Sequence, residues 1–153
     1  MGSSTYSIPV IDGCCQKIHS DNYYYAGGYL IQWSLTETNN WYYAWEDGLL
    51  VSENWDNVSS PYSLTLEYTD KENPFASQPI DFVWYMLEGA EMNVLAVFGM
   101  CGKKTAKLPS SYTYTLNNKP SSTVSFSYQF DEELLVRVQK VEGTKFTYYS
   151  LTY

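Results

Sequence analysis

Apolar and polar residues alternate with a period of two through most of the chain, which is typical of half-buried β-strands. In "YSLTLEY" (residues 62–68), tyrosines and leucines fall on one face, while serine, threonine and glutamate fall on the other. The segments "SYTYTL" (111–116), "STVSFSYQF" (122–130) and "KFTYYSLTY" (145–153) repeat the pattern. We predict that these segments are strands with one side in water.

Turn-forming residues punctuate the chain about every ten to fifteen residues, a spacing that suits hairpin connections. Examples are Asp47-Gly48, "NNKP" at 117–120 and Glu142-Gly143. No segment carries the 3.6-residue apolar stripe of an amphipathic helix. The sequence therefore predicts one all-β domain over residues 1–153 with about nine or ten antiparallel strands. Residues 1–20 are expected to form an irregular N-terminal segment.

One predicted hairpin is apolar on both faces. It pairs "PIDFVWYML" (79–87) with "EMNVLAVFG" (91–99). Such a hairpin is either covered on both sides or presents one side to a partner. We therefore predict a homodimer that forms through one face of the segment from Ile80 to Phe98.

The segment "NNWYYAWEDG" (39–48) combines many rings with a hairpin turn at Asp47-Gly48. A two-residue turn there predicts three facing pairs, which are Trp45 with Leu50, Tyr43 with Ser52, and Trp41 with Asn54. Rings mixed with hydrogen-bonding groups are typical of a small-molecule cavity or a sugar platform. The alternative is a plain core with Ser52 and Asn54 near its rim.

The preceding strand extends this predicted site. In "YAGGYLIQW" (25–33), strand geometry places Tyr29, Ile31 and Trp33 on one face. Two adjacent strands can bring this triplet against Trp41, Tyr43 and Trp45. We expect the two triplets to line a common cavity for a planar or apolar ligand.

The same segment resembles the first strand of lipocalins, where a Gly-x-Trp motif follows a short irregular N-terminal segment. Here Gly27-Gly28-Tyr29 occupies the motif with tyrosine in place of tryptophan. The stretch 86–101 is similar in outline to the later lipocalin hairpin that ends in a strand with a cysteine. The resemblance implies an up-and-down barrel that encloses one small ligand. A two-sheet sandwich or jelly roll is the alternative that the alternation also fits.

Arg137 is the only arginine of the chain and lies in the strand pattern "ELLVRVQK" (133–140). It could bind a ligand carboxylate or stack on an aromatic ring. The lipocalin resemblance implies the second role, at one end of the barrel near the first strand. An outward-facing strand arginine is the simpler interpretation.

Charge and hydropathy narrow the possible partners. The chain has 17 acidic and 9 basic residues and a net charge of -8, which disfavours nucleic acid as a partner. No apolar run approaches the roughly 18 residues that a membrane helix needs. The start "MGSS" (1–4) is typical of an expression scar. The protein is expected to be secreted if a signal peptide was removed, and cytoplasmic otherwise.

Three cysteines are candidates for a disulfide, namely Cys14, Cys15 and Cys101. Adjacent Cys14 and Cys15 could pair only through a strained ring, so we expect one of them to bridge to Cys101. The closed loop of about 86 residues would stabilise the fold by about 4 to 5 kcal/mol. The alternative is three reduced cysteines that pack as small hydrophobic side chains.

Candidate chemistry is sparse. A single histidine, His19, excludes sites that need two imidazoles, and no Cys-x-x-Cys spacing predicts a zinc site. No metal and no cofactor is expected. The leading hypothesis is a small-molecule-binding protein with an apolar or aromatic ligand. The alternatives are a lectin-like or protein-interaction sandwich with exposed Trp and Tyr, and third an enzyme of unfamiliar type.

Overall fold

The computed structural model describes residues 9–12, 14–18, 20–56, 61–78, 83–84 and 101–152. Within these residues Val83 and Trp84 are helical, and there are twelve β-strands. They are β1 (Val10–Ile11), β2 (Cys14–Cys15), β3 (Lys17–Ile18), β4 (Asp21–Ala26), β5 (Tyr29–Thr36), β6 (Asn39–Glu46), β7 (Leu49–Asp56), β8 (Tyr62–Glu72), β9 (Lys107–Leu116), β10 (Lys119–Asp131), β11 (Leu134–Glu142) and β12 (Lys145–Ser150). The predicted all-β, antiparallel class is confirmed.

Strands β3 to β12 form one antiparallel sheet in which each strand pairs with its neighbours in the chain. This is the up-and-down order expected when hairpins connect successive strands. The pairing ends at β3 and β12 and does not join them into a closed barrel within the described residues. Strands β1 and β2 form a separate two-stranded sheet.

The alternation of the sequence sets the two faces of the large sheet. In β10, Val124 and Phe126 are buried, whereas Thr123 and Ser125 are exposed. Leucines of β8 are buried in the same way, and a polar residue separates them. The sheet therefore has one aromatic and aliphatic face that forms the core, and one face rich in serine and threonine.

Tight turns connect the strands at the positions that the sequence indicated. Asp47 and Gly48 have φ values of 50° and 78°, and Asn117 and Asn118 have values of 50° and 59°. Two successive positive φ angles define the turn type that matches the twist of a β-hairpin. Asparagine, aspartate and glycine are the residues that tolerate this conformation best, so local sequence fixes these hairpins.

The predicted hairpin between Ile80 and Phe98 lies outside the described residues, apart from Val83 and Trp84. These two residues are helical, so the strand predicted there is wrong at both positions. Trp84 is 1% exposed and belongs to the core. Its ring meets the Tyr43 ring edge-on, with centroids 4.9 Å apart. Dimerisation through this hairpin stays a prediction. His19 also lies outside the described residues.

The described part of the structure holds no helix long and apolar enough to cross a membrane. It also has no group of three or more histidine, cysteine, aspartate or glutamate side chains arranged to hold a metal ion.

Candidate functional site

The core-facing side of the sheet carries a row of rings in contact that crosses six consecutive strands, β4 to β9; the first three contacts are stacked and the last two are tilted. We call this row the aromatic ladder. Its members are Tyr23, Trp33, Trp41, Trp55, Tyr62 and Tyr114. Successive ring centroids lie 6.1, 4.2, 5.5, 5.4 and 5.2 Å apart. Four of the five separations fall in the usual range for favourable aromatic pairs, and Trp33 and Trp41 lie slightly closer, so the rings pack against one another.

Hydrogen bonds fix the indoles of the ladder. Trp55 Nε1 donates to Asn39 Oδ1 at 2.5 Å, and Trp33 Nε1 donates to Asp21 Oδ2 at 3.3 Å. Trp41 Nε1 donates to the Tyr62 hydroxyl at 3.0 Å. Because the three indoles are held both by ring contacts and by hydrogen bonds, this part of the ladder is a rigid layer.

A buried carboxylate lies at the centre of this layer. Glu53 is 2% exposed, and its Oε1 accepts a hydrogen bond from the Tyr62 hydroxyl. That hydroxyl in turn accepts the Trp41 indole proton, which makes a chain of three side chains. A buried carboxylate is costly unless it is hydrogen-bonded, so the chain stabilises Glu53 in the core.

The other predicted rings belong to the same core. Tyr43 is 4% exposed, and Trp45 Nε1 donates to the Leu30 carbonyl at 2.7 Å. Tyr29 lies against Trp45, with centroids 4.6 Å apart. The structure thus brings Tyr29, Trp33 and the three rings of β6 onto one face. They contact one another and Trp84, as a core does.

The predicted register of the β6–β7 hairpin is wrong beyond its first pair. Trp45 faces Leu50 as expected, but a bulge at Val51 shifts every later pair by one residue. The observed pairs are Ala44 with Ser52, Tyr43 with Glu53, Tyr42 with Asn54, and Trp41 with Trp55. A one-residue shift moves side chains to the opposite face. Ser52 and Asn54 therefore lie away from the rings of Trp41 and Tyr43.

A second bulge corrects the prediction for β5. Tyr24 pairs with Gln32 and Tyr25 pairs with Leu30, so Ile31 is the extra residue. Ile31 is 38% exposed, whereas Leu30 is fully buried. Leu30 takes the place in the core that alternation assigned to Ile31.

Arg137 lies apart from the predicted ring site. It is exposed on β11, where its guanidinium carbon lies 5.6 Å from the centroid of the Tyr148 ring on β12. The stacking partner is therefore on the last strand and not near the first. The neighbouring cation Lys140 lies 5.4 Å from the Tyr112 ring, and burial lowers the pKa of its ammonium group.

The polar face carries an open groove across β4, β5 and β6, with a volume of about 510 Å³. We call it the β4–β6 groove. Its lining residues are Asn22, Tyr24, Gln32, Ser34, Leu35, Thr36, Glu37, Asn40 and Tyr42. The volume lies within the usual range for small-molecule sites.

Strand register arranges the groove in two rows. Tyr24, Gln32 and Tyr42 are direct partners across three strands and form the first row. Asn22, Ser34 and Asn40 form the second row in the same way. Tyr24 and Tyr42 are 49% and 41% exposed, so much of each side chain is open to solvent. Two strand spacings separate them by about 9.5 Å.

Hydrogen bonds order the polar side chains of the groove. The Ser34 hydroxyl donates to Asn40 Oδ1 at 2.5 Å, and Gln32 Nε2 donates to Ser34 Oγ at 2.8 Å. Asn40 Nδ2 donates to the Glu37 carbonyl at 3.3 Å. Gln32 Nε2 faces this network, and within the described residues the Gln32 side-chain oxygen accepts no hydrogen bond, so it is an available acceptor.

Sequence reasoning missed this groove. Tyr42 belongs to a segment assigned to the cavity, and Tyr24 directly precedes the other such segment, but both tyrosines lie out of phase with the buried rings. The position of each tyrosine in the alternation along its strand was the signal that could have revealed the groove. In a strand with one buried face, a ring between two core rings points to solvent.

Two solved structures share this fold. The first is a porin-like protein from Bacteroides vulgatus, with a TM-score of 0.58 and 14% identity over 84% of this chain. The second is a porin-like protein from Bacteroides uniformis, with a TM-score of 0.56 and 11% identity over 85% of this chain. At these identities the likeness establishes the fold alone.

This chain spans 61% and 56% of the lengths of those two proteins, so it corresponds to about three fifths of each. No protein-family model matches the sequence, and no curated protein matches it.

Proposed function

We propose that this protein is a small-molecule-binding protein that takes a neutral saccharide in the β4–β6 groove. The observation that carries the proposal is the row of Tyr24, Gln32 and Tyr42, in which two exposed rings flank an amide. Aromatic rings offer flat apolar surfaces on which the C–H face of a sugar ring packs. Amide and hydroxyl groups between them can bond the sugar hydroxyls.

The composition of the groove supports an uncharged ligand. Glu37 is the one ionisable carboxylate among the nine lining residues, and no lysine or arginine is among them. Amides and hydroxyls can both donate and accept hydrogen bonds, which suits a polyol that also does both. Anionic ligands such as phosphates would lack a cationic partner there.

Pre-ordering of the polar row favours binding. Ser34 and Asn40 are already linked, and Gln32 is held through its nitrogen. The ligand therefore does not have to order these side chains, and less conformational entropy is lost on binding. Nothing in the groove resembles a nucleophile activated by a base, so we propose binding without catalysis.

A glycan array of neutral oligosaccharides tests the proposal, followed by calorimetry on any hit. Tyr24→Ala and Tyr42→Ala should each weaken binding at least about tenfold, which corresponds to about 1.4 kcal/mol. Tyr148→Ala is the matched control, because Tyr148 is an exposed tyrosine on β12, outside the groove. The absence of any bound glycan, or equal losses in all three variants, would contradict the proposal.

A second candidate is the apolar or planar ligand predicted from the ring-rich strands. A cavity of about 230 Å³ beside β7 and β8 supports it, since Trp55, Pro61 and Tyr62 line that cavity together with five polar residues. Its small volume suits a ligand below drug size. Quenching of tryptophan fluorescence by a panel of fatty acids, retinoids and pigments tests this candidate. Quenching that survives Trp55→Phe would place the ligand elsewhere.

A further inference from the structure

The short β1–β2 sheet meets the rest of the molecule at the segment Cys101–Lys103. Cys101 forms an isolated antiparallel bridge with Cys14, and Gly102 forms one with Tyr29. The Lys103 amide donates to the Gly28 carbonyl at 2.7 Å. This segment therefore links the N-terminal sheet to the turn between β4 and β5.

The bridge singles out one cysteine of the adjacent pair. Residues directly opposite in an antiparallel bridge have Cα atoms about 4.5 to 5.5 Å apart, and disulfides span about 4.4 to 6.8 Å. Cys14 occupies that position relative to Cys101. Cys15 is its neighbour along the strand, so its side chain leaves the opposite face. The Cys15 thiol lies 3.7 Å from the Lys17 carbonyl, which accepts its weak hydrogen bond.

We propose that Cys14 and Cys101 are an oxidative cross-linking site, and that Cys15 stays a thiol. The oxidant is a low-molecular-weight disulfide such as oxidised glutathione. One protein thiolate attacks it to give a mixed disulfide and one glutathione thiol. The second protein thiolate then attacks the mixed disulfide, which forms the Cys14–Cys101 bond and releases the second glutathione thiol. The two protein thiols lose two protons and two electrons, and the glutathione disulfide is reduced.

An oxidant can reach the Cys14–Cys101 pair through a cavity beside Cys14. A cavity of about 450 Å³ is lined by Cys14, Tyr25, Gly28, Gly102 and Lys103, among others. Cys14 and Cys101 are otherwise 7% and 1% exposed, so the cavity is where a reagent can approach. Burial and the nearby Asp12 raise the pKa of the Cys14 thiol. The reaction should therefore be slow at neutral pH and accelerate as the pH rises, because the thiolate is the nucleophile.

The cross-link would stabilise the N-terminal part of the structure, where the strands are short and make few backbone hydrogen bonds. Strands β1, β2 and β3 have two residues each. A bond from Cys14 to Cys101 constrains the unfolded chain across a long loop, so it favours the folded state. It also fixes Gly102 against the β4–β5 turn. The inference is independent of the β4–β6 groove, since neither cysteine lines it.

The test treats the folded, fully reduced protein with oxidised glutathione at a pH of about 8 to 9, where thiolates begin to form. Alkylation of remaining thiols and peptide mapping then identify any linked pair. We expect a Cys14–Cys101 peptide in the wild type and in Cys15→Ala, with a mass lower by two hydrogens. We expect none in Cys14→Ser or Cys101→Ser. The oxidised wild type should unfold at a higher urea concentration than the reduced protein.

Three results would overturn the inference. They are a bond that joins Cys15 to either other cysteine, a bond between two chains, and oxidation that occurs only after unfolding in urea. Peptide mapping of the wild type decides among these without any variant. The test therefore stands even if a substitution at buried Cys15 impairs folding.

Discussion

Trp33 and Trp41 stack across β5 and β6 with ring centroids 4.2 Å apart and ring planes 18° apart. They are direct partners in the strand register, and Trp55 continues the stack from the other side of Trp41. Three tryptophans of successive strands thus meet face to face on the buried side. This contact makes the ring-rich segments a structural layer, while the β4–β6 groove lies on the opposite face of β4, β5 and β6.

The stack predicts a large loss of stability when a ring is removed. Trp33→Ala should lower the free energy of unfolding by about 3 to 5 kcal/mol, because it leaves a buried cavity. Trp41 is partly buried, so Trp41→Ala should cost somewhat less, about 2 to 4 kcal/mol. Tyr24→Ala, on the exposed face of β4, should change it by less than about 0.5 kcal/mol. Urea denaturation measures all three. A loss for Trp41→Ala no larger than that for Tyr24→Ala would mean that the ladder is not core.

Hydrogen bonds connect Trp41 to Tyr62 and Tyr62 to Glu53, so we expect the stability effects of substitutions at these residues to depend on one another. Tyr62→Phe should cost about 1 to 3 kcal/mol, because it removes the donor to a buried carboxylate and the acceptor of the Trp41 indole proton. Glu53→Leu combined with Tyr62→Phe should cost less than the sum of the single changes, since no buried carboxylate is then left without its donor. A double-mutant cycle in urea checks this. Strict additivity would show that the hydrogen bond contributes nothing.

Substitution of Gly102 should destabilise the protein through a steric clash in the segment Cys101–Lys103, which joins the two sheets. Its φ is +80°, and a Cβ at this position would lie 2.4 Å from the Gly28 carbonyl oxygen. Gly143 is the matched control, because its φ is +56° and a Cβ there would meet nothing within 4 Å. Gly143→Ala should cost about 1 to 2 kcal/mol for the left-handed backbone alone. Gly102→Ala should cost clearly more, and equal losses on thermal unfolding would contradict the close contact.

We expect the protein to lose stability at alkaline pH because the side chains of Tyr25 and Tyr128 are largely buried. Burial raises the pKa of Tyr25 and of Tyr128, with nearby cysteines adding to the effect at Tyr25 and Tyr68 at Tyr128. A pKa raised in the folded state means that the stability is fully present below the unfolded value of about 10 and is lost as the pH rises above it. Urea midpoints measured as the pH rises should therefore fall steadily.

Tyr128→Phe isolates one of these phenols. The variant loses the hydrogen bond from the Tyr128 hydroxyl to the Pro109 carbonyl, which is 2.5 Å long, so it should be less stable than the wild type at neutral pH. Its urea midpoint should then fall less than that of the wild type as the pH rises, because it has no phenol to ionise there. Parallel curves for the two proteins would exclude Tyr128 from the alkaline transition.

The sequence by itself determined the class of fold and its connectivity. Alternation in residues 62–68 and 122–130 placed the right side chains on the buried face, and Asp47-Gly48 and Asn117-Asn118 formed the turns expected of them. These features are local. Side-chain direction alternates along any strand, and the tight hairpin turn accepts few residue types, so both can be read from neighbouring residues.

Only the tertiary structure decided what the rings do. Bulges at Ile31 and Val51 each add one residue, and nothing in the local alternation marks them. One such residue carried Ser52 and Asn54 to the polar face and brought Glu53 and Trp55 among the rings instead. Pairing between strands, and not the sequence of either strand alone, selects the bulge, because it allows Trp41 to stack between Trp33 and Trp55. The same long-range pairing set Tyr24, Gln32 and Tyr42 in one row and Cys14 opposite Cys101.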